Sequence, residues 1–137
     1  NAILNKRPIR IFNNGNMQRD FTYIDDVIEA IVKLINKPST PNKNFQTDIP
    51  DPATSWSPHR IFNIGNSQPI SLMKFIQILE SEIGMKAIKI FEPMQMGDVK
   101  STYADTSELD KWISYKPSTS IERGIKNFVE WYKSFYA

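Results

Sequence analysis

Arg19 and Asp98 are the two side chains of this 137-residue chain best suited by their surroundings to hold a ligand. Arg19 follows the turn-forming run Asn13-Asn14-Gly15-Asn16 and precedes Phe21-Thr22-Tyr23-Ile24, a run of β-formers, so it projects from a loop at a domain edge. A guanidinium there can grip a diphosphate through two parallel charge-assisted hydrogen bonds. Asp98 follows Gly97, where the backbone can turn sharply and admit a ligand. Its carboxylate can accept from both hydroxyls of a ribose. On local grounds alone, the first also reads as a solvated arginine and the second as a turn aspartate.

A reaction needs more than a grip. No GxGxxG or GxxGxxG run offers a pyrophosphate cradle, and there is no Walker lysine loop. Asp25 and Asp26 are adjacent carboxylates, but Asp26 reads as a helix N-cap and Asp25 as an acid of the first turn, favoured by the helix dipole. Asp48 and Asp51 fall in a proline-rich loop and read as solvated. His59, the sole histidine, lies in that loop with no second histidine to form a metal pair. With no cysteine, the chain has no disulfide framework, thiolate nucleophile or common zinc cluster, and it suits a reducing compartment.

Composition is that of a soluble globular protein of one domain, residues 1–137, with a single core. The net charge of +2 comes from 17 basic and 15 acidic residues interspersed, without the basic stripe of a nucleic-acid partner. No apolar run approaches the ~20 residues of a membrane span, and nothing reads as a signal peptide. The opening on Asn1-Ala2, without methionine, reads as a fragment beginning mid-protein or a tag scar.

The elements that must position these residues follow from periodicity and capping. Ile9–Phe12 alternates as a strand, and Phe21–Ile24 reads as a second one. Asp26 with Glu29 forms a capping-box pattern opening a helix, whose Val27, Ile28, Ile31, Leu34 and Ile35 share a face before Pro38. Residues 39–59, carrying Pro41, Pro50, Pro52 and Pro58, read as a loop insertion. Arg60–Ile64 reads as a strand. Ser71 caps a helix with Leu72, Phe75, Ile76, Leu79 and Ile83 at helical spacing, ended by Gly84. Ala87–Phe91 is a strand, Thr106 or Ser107 begins a short helix through Leu109, Trp112 and Ile113, and Thr119 with Glu122 opens a last helix through Ile125, Phe128, Val129 and Tyr132. The expectation is a mixed α/β domain, a small sheet of short strands packed with about four helices. These apolar stripes read as core faces, and some would pack on a domain absent from the chain.

The runs RDFTYIDDVIEAI, FNIGNSQPISLMKFI and PMQMGDVKSTYADTSELDKWISYKPSTSIERGIKNFVEWY occur in the order seen in the extended short-chain dehydrogenases, the NAD-dependent epimerases and dehydratases. From about Ile3 to Tyr136 the chain resembles the C-terminal, substrate-binding part of the UDP-glucuronate 4-epimerases in that superfamily, and Ile49–Ser55 resembles the insert of that branch. The resemblance implies that Arg19 contacts the diphosphate of a UDP-sugar, that Phe12 lies by the uracil and that Asp98 binds the ribose. Many relatives carry an arginine where this chain has Gln95, a neutral amide that still donates hydrogen bonds. It also implies that the NAD-binding loop and the Tyr-x-x-x-Lys base lie upstream in a Rossmann half. The full-length protein would then invert C4 of UDP-glucuronate through a transient 4-keto sugar, as a cytoplasmic homodimer. The chain alone would bind neither NAD, nucleic acid nor membrane, and would be inactive. The alternatives are a 4,6-dehydratase or decarboxylase of the same superfamily, and a non-catalytic binding module.

Overall fold

Ile9, Arg10 and Ile11 form the first strand, β1 (Ile9–Ile11), which pairs in parallel with β4 (Lys89–Phe91) in the register Ile9↔Lys89 and Ile11↔Phe91. A parallel pair needs a long crossover. Here the crossover holds β2 (Gln18–Arg19), helix α1 (Ile24–Ile35), β3 (Ile70–Ser71) and helix α2 (Leu72–Ile83). The structure, a computed structural model, describes residues 1–136. After β4 come α3 (Ser107–Ile113) and α4 (Ile121–Tyr136), and β2 pairs antiparallel with β3, Arg19 opposite Ile70. The result is the expected small mixed α/β fold with four helices. Arg10 and Glu92 clamp β1 to the end of β4 through bonds of 2.6 and 2.5 Å.

The core lies where α2 packs on α4 behind β1: Ile11, Ile76, Ile125 and Val129 are buried there, and Leu109 of α3 is fully enclosed. The α2 signals act as the sequence predicts. Ser71 Oγ accepts from the Lys74 N–H at 3.2 Å, and Gly84 ends the helix in the left-handed region at φ 79°. Asn13 and Asn14, both at φ 49°, make the turn after β1 and deliver the chain into β2.

Near the end of α2, Glu80 is only 3% exposed. Its carboxylate accepts from the Ala87 N–H at 2.9 Å, from Lys86 Nζ at 3.1 Å and from Lys89 Nζ, tying the helix to the strand that follows. The Lys89 bond foremost, then that of Ala87, holds its pKa down at about 2 against an ordinary 4.5. A lowered folded-state pKa gives stability that is complete above the unfolded value and lost as pH falls toward the folded one. Glu80→Gln is therefore expected to lower the urea midpoint at pH 7, with the two chains converging between about pH 4.5 and 2. Urea titrations across that range check it; a gap that persists at pH 2 contradicts it.

Several expectations need correction. Phe21–Ile24 is not a strand: β2 ends at Arg19, and α1 begins at Ile24 after an extended Tyr23. Asp26 thus lies inside the first turn rather than capping it. Its carboxylate is buried and turned to α4, accepting from the Thr119 N–H at 3.0 Å and Thr119 Oγ1 at 2.8 Å. Thr119 Oγ1 donates to Asp26, and at the start of α4 it is Ser120 Oγ that accepts from the Arg123 N–H, at 3.3 Å. Residues 60–64 form no strand beyond an isolated Thr54↔Arg60 bridge. On α1, Ile24, Ile28, Ile31 and Ile35 line up at helical spacing but face solvent, Ile35 at 71%.

Candidate ligand site

Two segments far apart in sequence run side by side at β2. The Gln18 N–H donates to the Lys100 carbonyl at 2.9 Å, and the Thr102 N–H returns to the Gln18 carbonyl at 3.3 Å. Just upstream of this ladder the chain reverses at Gly97, at φ 83°, with the Asp98 N–H donating to the Gln95 carbonyl at 3.3 Å. A positive φ at the third turn position is the signature of a type II turn, where glycine fits. The turn aims Asp98 at Arg19.

The two meet in an ion pair, Arg19 Nη2 to Asp98 Oδ1 at 2.8 Å, across 79 residues of sequence. Arg19 Nη1 also donates to the Gln18 carbonyl at 2.8 Å, and Asp98 Oδ1 accepts from the Val99 N–H at 2.7 Å. Their side chains are 25% and 31% exposed, shielded enough to hold a geometry and open enough to meet a ligand. A guanidinium has five donors. With two nitrogens engaged, Arg19 retains donors for an anion while Asp98 retains an oxygen for hydroxyls.

The other two sequence candidates are not drawn into this pair. Phe12, directly after β1, lies beneath the Arg10 guanidinium, whose carbon is 5.0 Å from the Phe12 ring centre. Gln95 contributes its main-chain carbonyl to the turn, while its exposed side chain makes no hydrogen bond among the described residues. Asp25 and His59 are exposed, and Asp51 is occupied by the Ala53 N–H and Thr54 Oγ1 of its own loop. Among the described residues no three His, Cys, Asp or Glu side chains gather to hold a metal, and no helix is long and apolar enough to cross a membrane. Two hollows, of about 250 and 350 Å³, flank α2 and α4; they are apolar and include neither Arg19 nor Asp98. The ion pair sits apart from both hollows.

Sequence reasoning passed over Asp20 and Gly65. The Asp20 carboxylate accepts from the N–H groups of Ser67, Ala104 and Gln68 at 3.0, 3.1 and 3.3 Å. Gly65 is buried against Ala104 so closely that a Cβ there would lie 2.3 Å from the Ala104 Cβ. The one available signal was the carboxylate of Asp20 beside an arginine read as an anion grip, an arrangement that needs other donors to neutralise it.

The chain is thus a small mixed α/β arrangement of short strands and four helices with a cation–carboxylate pair at a loop edge. Comparison with known proteins narrows the class. Residues 1–65 match the model of the NAD dependent epimerase/dehydratase family. Over 98% of its length the chain is 44% identical to Protein CapI of Staphylococcus aureus and 43% identical to a probable UDP-glucuronate 4-epimerase of Rhizobium meliloti. Among solved structures, the UDP-glucuronic acid 4-epimerase of Bacillus cereus in complex with UDP-glucuronic acid and NAD superposes with a TM-score of 0.75 at 29% identity, over 98% of this chain and 38% of that one. This chain belongs to the NAD dependent epimerase/dehydratase family. It spans about 40% of the length of the curated relatives it matches.

Proposed function

We propose that this chain is the nucleotide-sugar-binding region of a UDP-glucuronate 4-epimerase. Arg19 holds the diphosphate, Asp98 accepts from the ribose hydroxyls, Phe12 lies by the uracil, and Gln95 adds neutral amide donors. The carrying observation is the convergence of Arg19 and Asp98 at 2.8 Å, an anion grip beside a diol acceptor. The 43% identity to a probable UDP-glucuronate 4-epimerase favours that branch over dehydratases and decarboxylases.

In the complete protein, NAD would supply the hydride transfer. The residues present here do not fit that group: none of the five glycines lies in a turn from a strand into a helix, where a pyrophosphate would be cradled. This chain's part is to fix the nucleotide while the sugar is free to turn between the two faces presented for hydride transfer. The exposed isoleucine stripe of α1 is the face that the rest of such a protein would cover, in a cytoplasmic enzyme that pairs as a homodimer.

Calorimetric titration of the chain with UDP, UDP-glucuronate and NAD tests the reading. UDP and UDP-glucuronate are expected to bind with similar affinity, since the nucleotide provides the contacts, and NAD to give no heat. Silence for UDP would overturn the claim that the grip is formed within this chain.

A further inference from the structure

A carboxylate one residue from an anion-binding arginine is electrostatically adverse, and Asp20 stands in that place next to Arg19. Its geometry resolves the conflict. Asp20 Oδ2 accepts from the Ser67 and Ala104 N–H groups at 3.0 and 3.1 Å, and Oδ1 from the Gln68 N–H at 3.3 Å. Three main-chain donors thus draw the charge away from the face that Arg19 presents. The Asp20 N–H in turn donates to Thr102 Oγ1 at 3.1 Å.

These bonds continue a ladder. Main-chain pairing between residues 18 and 100–102 stops at Gln18, where the Thr102 N–H meets its carbonyl. Beyond that point the side chains of Thr102 and Asp20 take over the joining, and the second reaches residue 104. The segment descending from Asp98 is thereby held parallel to the segment carrying Arg19, and both are locked to the 65–68 loop.

We propose that Asp20 is a positioning residue for the ligand grip: its carboxylate sets the register between the strand bearing Arg19 and the segment bearing Asp98, so that guanidinium and carboxylate face one ligand. This rests on the reading of Arg19 and Asp98 as that grip. Its chemistry calls for an anion rather than an amide. Asparagine has the same shape, but its NH2 would oppose a main-chain N–H that now meets an oxygen.

The test compares Asp20→Asn with Asp26→Asn, which cuts a buried carboxylate clamp of the same kind between α1 and Thr119, away from the grip. Asp20→Asn is expected to weaken UDP binding about tenfold or more, yet less than about twofold when Arg19 is already alanine, because residues acting through one another are not additive. Asp26→Asn is expected to lower the melting temperature and leave the UDP dissociation constant unchanged. In the unliganded chain, Asp20→Asn should remove the exchange protection of the Ser67, Gln68 and Ala104 amides and move the Arg19 guanidinium NMR signal to where Asp98→Asn puts it. An equal loss of UDP binding in both backgrounds would overturn the proposal and leave Asp20 a structural clamp. If the unaltered chain binds no UDP, the functional reading fails by itself, and the guanidinium signal still decides: unmoved by Asp20→Asn, it refutes positioning.

Discussion

Gly65→Ala is expected to destabilise the chain by about 1–3 kcal/mol, the usual cost of forcing atoms into a filled space, and to be largely repaired by a second change, Ala104→Gly. The added Cβ would sit 2.3 Å from the Ala104 Cβ and 3.1 Å from Asp20 Oδ2. Neither neighbour can swing aside, one being fixed to the backbone and the other held by three N–H groups. The backbone at Gly65 does not occupy the left-handed region, so the requirement for glycine is one of space alone. At an open site with such a backbone, alanine would stabilise by about 0.4–1 kcal/mol through the unfolded chain, so a measured loss is the close approach outweighing that gain. The double variant removes the opposing atom while adding a flexible glycine, and should unfold at a denaturant concentration between those of the single variant and the parent. Equal midpoints for Gly65→Ala and the parent would show that the two segments are not in contact.

The same contact marks where sequence reasoning ends. Helices were readable because their causes are local. Ser71 and Gly84 bound α2 by bonds within a few residues, and the apolar period of α4 places Ile125 and Val129 in the core. Strands were legible only in part: β1 and β4 lie within runs read as strands, but a strand exists only with a partner. Phe21–Ile24 and Arg60–Ile64 have the composition of strands, yet the first lies in the approach to α1 and the second finds no ladder. Periodicity also tells which residues of α1 share a face without telling what that face meets, and Ile28, Ile31 and Ile35 turn out to meet solvent.

The site divides in the same way. Arg19 and Asp98 were candidates one by one, through turn chemistry and the resemblance to a family, but their pairing across 79 residues was not legible. Asp20 escaped because its partners are main-chain N–H groups of remote loops, which leave no mark in the sequence. Asp26 was misread for a related reason. An aspartate near a helix start is a cap by local rules, and only the fold reveals that Thr119 claims it.

Arg19→Ala is expected to weaken UDP binding by about 1.5–3 kcal/mol, the usual worth of hydrogen bonds to a charged group, while changing stability by no more than about 1 kcal/mol, as is typical of partly exposed ion pairs. In the free chain the guanidinium is already paired with Asp98, so a diphosphate must be accepted in exchange for, or beside, that carboxylate. The exchange costs little if each partner gains a new one: the diphosphate takes the two-pronged face of the guanidinium, and the released carboxylate oxygens take the ribose hydroxyls. Both gains require the same ligand, which ties diphosphate and ribose recognition into one event. Uridine carries the diol but no phosphate, so its binding should hardly respond to Arg19→Ala, whereas Asp98→Ala should weaken uridine and UDP alike. Arg19→Lys should recover only part of the UDP affinity, since a lysine returns the charge without the planar fork. Titrations of the three variants with both ligands give the answer. If Arg19→Ala leaves the UDP dissociation constant where it was, or penalises uridine as heavily as UDP, the guanidinium does not hold the diphosphate and the pair is only a strut between two loops.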